Sequence, residues 1–176
     1  MLKENTDFII LSAIDWNTQK QAVHELTEYL SQNNNRVLFV ENTGVRSVSF
    51  KKDFSRIIYR IKSLFASSKG FTKISNNITK FTPLFFPFFT YSKFSLKLNS
   101  LLISNLIMYW LRYRKFSSPV IISFLSTPLA QQLVKNINPR ANIFYFADNM
   151  SESSPSAVKL KNWENIFLKN SDLVMC

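Results

Sequence analysis

The chain has 176 residues, of which 46% are hydrophobic and 19% are charged. This length and composition are typical of one domain with a sizeable core, and they exclude an intrinsically disordered chain. The formal net charge of +11 favours anionic partners, such as a membrane surface, a nucleic acid or a phosphate-bearing substrate. Sixteen of the 22 Lys and Arg residues fall between residues 46 and 147, where Asp53 is the single acid.

Cysteine content and hydropathy indicate the compartment. Cys176 is the sole cysteine, so a disulfide framework within the chain is excluded and a reducing compartment is favoured. The longest apolar run, residues 101–111, is interrupted by Ser104 and Asn105 and is shorter than the roughly 18 residues of a membrane span. We therefore expect a cytoplasmic protein, either soluble or peripheral on the inner face of the cell membrane.

Short apolar runs alternate along the chain with stretches of helical spacing. The apolar runs predict strands at 8–11, 37–40, 78–81, 120–122, 143–146 and 173–175. Apolar residues at helical spacing predict helices at 17–33, 51–65, 94–115, from 127 onward and at 154–169. This alternation predicts an α/β fold with a single Rossmann-like, doubly wound and mainly parallel sheet of about six strands.

Two connections and the end of the chain depart from this regular pattern. The segments at about 43–77 and 81–91 are longer than such connections need, and insertions of this kind are expected to be functional. The last residues are typical of a core strand, and domains seldom stop inside one. We therefore expect the natural protein to continue beyond Cys176.

Polar residues follow four of the predicted strands at the point where each strand ends. They are Asp15 and Trp16, Asn42 and Thr43, Ser126 and Thr127, and Asp148 and Asn149. In a parallel sheet, strands deliver their carboxyl ends to the same edge, so these residues should line one crevice. The sequence therefore predicts a ligand-binding cleft at this edge.

The glycine and histidine contents exclude several kinds of site. The chain has only Gly44 and Gly70, so the clustered glycines of a dinucleotide fingerprint or a phosphate-binding loop are absent. One histidine and scattered acids do not form a metal-binding pattern. No metal and no bound cofactor are expected.

Several stretches together resemble the N-terminal domain of GT-B-fold glycosyltransferases that build cell-envelope polysaccharides. The stretches are ILSAIDW (10–16), His24 with Glu25, RVLFVEN (36–42), FLSTPLA (124–130), YFADN (145–149) and SDLV (171–174). Two features differ from the family. The first strand–helix loop, DWNT (15–18), lacks the glycine pair of many relatives, and Asn149 stands where nearer relatives have a second acid.

The resemblance implies a fold of two facing Rossmann-like domains, of which this chain is the acceptor-binding one. The donor domain, which holds the nucleotide sugar, would be absent, so residues 1–176 alone should be inactive. The implied reaction is transfer of a hexose to a lipid-linked or polysaccharide acceptor. The donor is a substrate rather than a cofactor.

Three side chains are candidates for catalytic contacts with the acceptor. Asp148 would orient or deprotonate the attacking hydroxyl, and the alternative is a turn formed by its side chain. Asp15 would act similarly, and the alternative is a helix cap. His24 is the only histidine, and the alternative is an exposed residue on a helix surface. If its helix starts later than residue 17, His24 moves into the first turn and toward the cleft.

The other candidates would bind substrate. Trp16 would stack on a sugar ring, and the alternative is that it plugs the rim of the domain. Ser126 and Thr127 precede a helix, where free N–H groups can bind an anion, although capping alone accounts for them as well. Asn42, Thr43 and Asn149 lie at strand ends, where a turn is the alternative.

The predicted helix at 51–65 has an apolar stripe and a basic face. The basic residues assigned to membrane contact are Lys51, Lys52, Arg56, Arg60 and Lys62. Such a helix can lie in the interface of an anionic membrane. The alternative is an amphipathic helix packed on the sheet with a solvated basic face.

Two other functions use the same features. Basic residues interleaved with aromatics at 109–115 are compatible with nucleic-acid binding, which is disfavoured because part of that stretch is predicted core. A non-enzymatic Rossmann-like binding module is the other alternative. Nucleic-acid affinity should fall steeply with salt, whereas insertion of aromatic side chains into lipid should persist in part.

Overall fold

The computed structural model describes residues 5–41, 70–83, 93–146 and 161–176. These residues form seven β-strands and four α-helices. The strands are β1 (Asp7–Leu11), β2 (Arg36–Val40), β3 (Phe71–Lys73), β4 (Ile78–Phe81), β5 (Val120–Ser123), β6 (Ala141–Tyr145) and β7 (Leu173–Met175). The helices are α1 (Ala22–Gln32), α2 (Lys93–Tyr113), α3 (Pro128–Ile137) and α4 (Lys161–Asn170).

The strands form one sheet in the order β3-β4-β2-β1-β5-β6-β7. Neighbouring strands are parallel except β3 and β4, which are antiparallel. The predicted α/β architecture with a mainly parallel sheet is confirmed. The predicted count of about six strands is corrected to seven, and the sheet is mixed, because β3 adds an antiparallel edge strand. Three residues are too few for a strand to show a sequence period.

The edge strand β3 is held by aromatic contacts and by a tight return to β4. The Phe71 ring stacks on Phe81 and on Trp110 of α2, with centroid separations of 4.4 and 5.1 Å. The backbone N–H of Ile74 donates to the carbonyl of Ile78 at 3.0 Å and closes the turn. The first strand of the hairpin is therefore fixed by tertiary packing on α2 rather than by a pattern of its own.

The order of the parallel strands reverses direction between β1 and β5. From β1 the chain moves outward through β2 to β4, and it then returns to β5 and moves the other way through β6 to β7. In doubly wound sheets a ligand crevice forms at this reversal point, outside the carboxyl ends of the strands. The sheet therefore places a crevice at the boundary of β1 and β5.

Helices cover both faces of the sheet, and the core is divided accordingly. On one face, alternate residues of the central strands pack against α1. This cluster includes Phe8, Ile10, Phe39 and Ile122 with Val23 and Leu30. The other face packs against α2, α3 and α4, and its cluster includes Ile9, Leu38, Ile121, Ile107, Leu133 and Phe167. Burial on both faces accounts for the continuous apolar runs of these strands.

An ion pair between a buried carboxylate and a partly exposed guanidinium closes the amino-terminal end of the sheet. Asp7 is 3% exposed, and its two carboxylate oxygens accept from Arg36 Nε and Nη2 at 2.7 and 2.8 Å. Arg36 also donates to the backbone carbonyls of Arg114 and Lys115, at 2.8 and 2.9 Å. The N–H of Ser117 donates to Asp7 Oδ2 at 2.6 Å. This cluster, which we term the Asp7–Arg36 ion pair, joins β1, β2 and the end of α2.

The four described helices lie in predicted helical ranges, but α1 begins at Ala22, five residues after the predicted start at 17. The predicted helix at 51–65 and the predicted start of the last helix at 154 lie outside the described residues. Helix α2 spans 21 residues. Among the residues that the structure describes, no helix is both long enough and apolar enough to cross a membrane.

Candidate functional site

A cleft of about 320 Å³ lies at the carboxyl ends of β1, β5 and β6. It is lined by the loop after β1, the start of α1, the residues that end β5 and β6, and one residue of α4. Its volume is at the lower end of the range of small-molecule sites. The cleft lies at the reversal point of the strand order, where such sheets bind ligands.

Aromatic side chains form much of the wall. Phe124 and Tyr145 stack on each other with their centroids 4.6 Å apart and their planes at 20°. Phe144 and Phe146 meet edge to face at 5.9 Å. Tyr145 belongs to the core cluster on one face of the sheet and Phe146 to that on the other, because successive strand residues alternate. The lining of the cleft therefore includes aromatic side chains from both faces of the sheet.

The loop between β1 and α1 is held by its own polar groups. Ser12 Oγ accepts from the N–H of Ile14 at 3.1 Å and donates to its carbonyl at 3.0 Å. Thr18 Oγ1 donates to the carbonyl of Asp15 at 2.7 Å. This turn delays the start of α1 to Ala22, with Gln21 as the N-cap residue. Asp15 therefore does not cap α1, and it lies partly exposed next to the lining residues 12–14.

His24 lies in the first turn of α1, as expected for a late helix start. It is 3% exposed, so the alternative of an exposed surface histidine is wrong. Its ring stacks on Phe39 at 5.7 Å, and the Trp16 ring meets it edge to face at 5.3 Å. Trp16 also packs on Phe39 at 5.0 Å, so much of its surface contacts protein. Ala22 and Val23, which precede His24 in the chain, line the cleft, whereas His24 itself is not among the lining residues.

The two ring nitrogens of His24 have different surroundings. Nδ1 accepts from the N–H of Gln21 at 3.1 Å, which satisfies one free donor at the start of the helix. A neutral imidazole that accepts through Nδ1 carries its proton on Nε2. Among the described residues Nε2 has no hydrogen-bond partner, although it is buried. The ring thus accepts one hydrogen bond at the start of α1 through Nδ1, while its Nε2–H donor has no acceptor among the described residues.

Replacing His24 by Leu should change the free energy of unfolding by less than about 1 kcal/mol. The loss of the bond to Gln21 destabilises the helix start, while removal of a buried donor without a partner stabilises the core by a similar amount. Urea unfolding measures the difference. Phe39→Ala is the matched control and should cost about 3–5 kcal/mol. A loss for His24→Leu as large as that of the control would contradict this assignment.

Glu41 directly follows β2 and was not singled out from the sequence. It is 3% exposed, and its Oε1 accepts from the N–H of Trp16 at 2.8 Å and from Lys80 Nζ at 3.2 Å. Oε2 accepts from the hydroxyl of Thr82. One carboxylate thus ties the ends of β1, β2 and β4 together. An acid that directly follows a buried strand is the signal that could have indicated it.

Ser126 and Thr127 are both buried at the end of β5, but their positions differ. Ser126 lines the cleft. Thr127 is the N-cap residue of α3, and its Oγ1 accepts from the N–H of Ala130 at 3.1 Å. The following Pro128 has no N–H to offer an anion. Capping therefore accounts for Thr127, as the alternative predicted.

Glu164 was also not singled out, and within the described ranges it is the only charged residue that lines the cleft. It lies in the first turn of α4 and is 5% exposed. Its Oε1 is buried and has no hydrogen-bond partner among the described residues. Phe167, three residues later, is 2% exposed, so the spacing of the two residues places both on the buried face of α4. That spacing was visible in the sequence.

The remaining candidates lie outside the described residues. Those assigned to the site are Asn42, Thr43, Asp148 and Asn149, and those assigned to membrane contact are Lys51, Lys52, Arg56, Arg60 and Lys62. They stay predictions. Of the site candidates that the structure does describe, Asp15, Trp16, Ser126 and Thr127 lie at the same carboxyl edge of the sheet.

In the described ranges, no set of three or more His, Cys, Asp or Glu side chains could hold a metal ion. No protein-family model matches this chain, and a search of curated proteins finds no match either.

Proposed function

We propose that this chain is the acceptor-binding half of a GT-B-type glycosyltransferase, which transfers a hexose from a nucleotide sugar to a lipid-linked or polysaccharide acceptor. The observation that carries the proposal is the cleft at the boundary of β1 and β5. It lies at the reversal point of a doubly wound order of parallel strands, as the ligand site of a Rossmann-like domain does.

The lining supports a sugar as the ligand. Aromatic rings such as Phe124 and Tyr145 offer flat apolar surface to the C–H faces of a pyranose, while Ser126 and Glu164 offer hydrogen-bonding groups. A few polar groups in a largely apolar pocket are typical of small-molecule sites. The phosphate-binding glycine clusters that a nucleotide needs are absent from the sequence, so the donor would be bound by a second domain.

The acceptor-side chemistry would fall to residues at this edge of the sheet. We assign Asp148 and Asp15 to orienting the acceptor hydroxyl. His24 lies behind the loop that carries Asp15, in contact with the ring of Trp16. A retaining transfer does not strictly require a protein base, so positioning and electrostatic stabilisation would be their contribution. The high net charge of +11 supports a location on the inner face of an anionic membrane, where a lipid-linked acceptor is found.

The test uses the protein encoded by the complete reading frame. We expect that frame to specify a second α/β domain after Cys176 and the protein to transfer labelled hexose from a nucleotide sugar to a membrane lipid extract. Asp148→Ala should lower turnover by more than about tenfold, since it removes the group that orients the acceptor. Lys135→Ala, an exposed change on α3, is the matched control and should leave turnover unchanged.

Two results would contradict this proposal. One is a reading frame that stops directly after Cys176, because half a cleft cannot hold both substrates. The other is a complete protein in which no nucleotide sugar supports transfer. Near-normal turnover in Asp148→Ala would remove that residue from the site.

A further inference from the structure

Glu164 is a buried acid in the lining of the cleft. It is 5% exposed, lines the cleft, and its Oε1 has no partner among the described residues. Buried acids are almost always paired with a cation or satisfied by donors, because loss of hydration is costly. No described group of the protein meets this need, and a ligand in the cleft would supply the donor.

The charge of Glu164 constrains that ligand. Among the described residues, no Lys, Arg or His side chain lines the cleft, so none of them offsets a second negative charge there. Two anions in a partly desolvated site repel each other strongly, because the effective dielectric constant is lower than that of water. A carboxylate or phosphate group is therefore disfavoured in this cleft, although the whole chain is strongly basic.

The other lining groups favour a hydroxylated ligand over a cation. Gln21 and Ser126 can each donate and accept hydrogen bonds, whereas Glu164 in its ionised form only accepts. A ligand hydroxyl can donate to Glu164 and accept from a neighbour at the same time, while an ammonium group can only donate. The aromatic wall adds a surface that suits C–H groups, so an uncharged polyhydroxylated ring matches the whole lining.

We propose that Glu164 makes this cleft selective for an uncharged, hydroxyl-bearing sugar ring and excludes rings that carry a carboxylate or a phosphate. Its Oε1 accepts a hydrogen bond from a ring hydroxyl while the aromatic wall contacts the ring. This inference rests on the proposed acceptor-binding function and narrows its substrate class to neutral sugars.

The experiment measures binding of matched neutral and anionic sugars to the 176-residue chain by ligand-observed NMR. The probes are the methyl glycosides of glucose, galactose and mannose, each paired with its uronate, which differs only by a carboxylate at C6. We expect at least one neutral glycoside to bind more than about tenfold more tightly than its uronate. In Glu164→Gln this preference should fall to within about threefold of unity, because the repulsion is gone while the shape is kept.

A control variant separates the local charge from the total charge. Glu25→Gln removes one negative charge from an exposed position on α1, outside the cleft, and should keep the preference of the wild type. A second measurement checks the carboxylate without any ligand. The melting temperature of Glu164→Gln should equal or exceed that of the wild type, since the variant loses a buried charge that has no described partner.

Five outcomes would overturn the inference. The first four are the absence of binding by all three neutral glycosides, equal binding of neutral and anionic members to the wild type, an unchanged preference in Glu164→Gln, and a lower melting temperature in that variant. A methyl glucosaminide that bound more than about tenfold more tightly than the neutral glycoside would overturn it as well, in favour of a cationic ligand.

The outcome also distinguishes this inference from the proposed function. If the complete protein transfers hexose but Glu164→Gln keeps its selectivity, the inference fails alone. If the chain binds neutral sugars with the expected preference while the complete protein shows no transfer, the proposed function fails and the cleft assignment stands.

Discussion

Replacing Glu41 by Ala should lower the free energy of unfolding by about 3–5 kcal/mol, which corresponds to a fall on the order of 10 °C in the melting temperature. The carboxylate is 3% exposed and is the shared acceptor for the N–H of Trp16, for Lys80 and for Thr82. Its removal leaves the Lys80 ammonium, whose side chain is 13% exposed, without a counter-charge. The cost is therefore that of an uncompensated charge together with two unsatisfied donors.

Two variants separate these contributions. Glu41→Gln removes the charge and turns one acceptor oxygen into an NH2 donor, but it should cost less than Glu41→Ala because the other acceptor oxygen is kept. Adding Lys80→Met to Glu41→Gln should recover part of the loss, since an apolar side chain then replaces an unpaired ammonium. Thermal and urea unfolding would measure all three. A double variant less stable than Glu41→Gln would contradict the ion-pair interpretation.

The exposed pair of Lys20 and Glu28 is the matched control. Its atoms are 2.6 Å apart, closer than those of Lys80 and Glu41, but its side chains are 56% and 41% exposed. The hydrogen bond with Glu28 raises the pKa of Lys20, and the charge of Glu28 adds to that effect. Because solvent screens this pair, Glu28→Gln should leave the melting temperature unchanged. Burial rather than distance is what makes the Glu41 contacts strong.

Arg36→Met is expected to destabilise the chain by about 3 kcal/mol, near the lower end of the range for a broken buried pair. Of its partners among the described residues, Asp7 would keep only the Ser117 N–H, and the carbonyls of Arg114 and Lys115 would lose the Arg36 donor. This loss of stability is reduced because the Arg36 side chain is 38% exposed, so that water can replace some of the hydrogen bonds that Arg36 donates. The melting temperature of the variant measures the loss.

Arg36→Lys should rescue little of this stability, because an ammonium cannot make the two parallel bonds that the guanidinium makes to Asp7. Arg140→Met, an exposed change before β6, removes the same charge and should have no measurable effect. Equal melting temperatures for Arg36→Met and Arg140→Met would show that the Asp7–Arg36 ion pair does not stabilise the fold.

These two clusters hold opposite ends of the same strands. The Asp7–Arg36 ion pair fixes the starts of β1 and β2 against the end of α2, and Glu41 fixes the ends of β1, β2 and β4. Strand β1 is therefore anchored near both of its ends, and the loop that follows it and lines the cleft starts from a fixed position. A rigid platform of this kind is what a site needs to hold a ligand in a defined orientation.

His24 illustrates how far the sequence could predict the site. Its helix was predicted to start at residue 17, and the sequence indicated that a later start would bring His24 into the first turn. The structure has that later start, at Ala22, because the turn at Asp15 and Thr18 uses residues that a helical pattern would include. The burial of the ring between Trp16 and Phe39 depends on contacts across β2, which no local pattern contains.

The sequence by itself determined the fold class and the six strands that are parallel to one another, β1, β2 and β4 to β7. It also determined the edge of the sheet where polar residues gather. It could do so because apolar runs and helical spacings are local, and because parallel strands necessarily share a carboxyl edge. Only the tertiary structure decided that β3 pairs with β4, that Glu41 is satisfied and that Glu164 Oε1 has no partner among the described residues. Those facts depend on partners distant along the chain, as Lys80 is from Glu41 by 39 residues. A charged side chain looks the same in sequence whether its partner is water, a cation or a ligand.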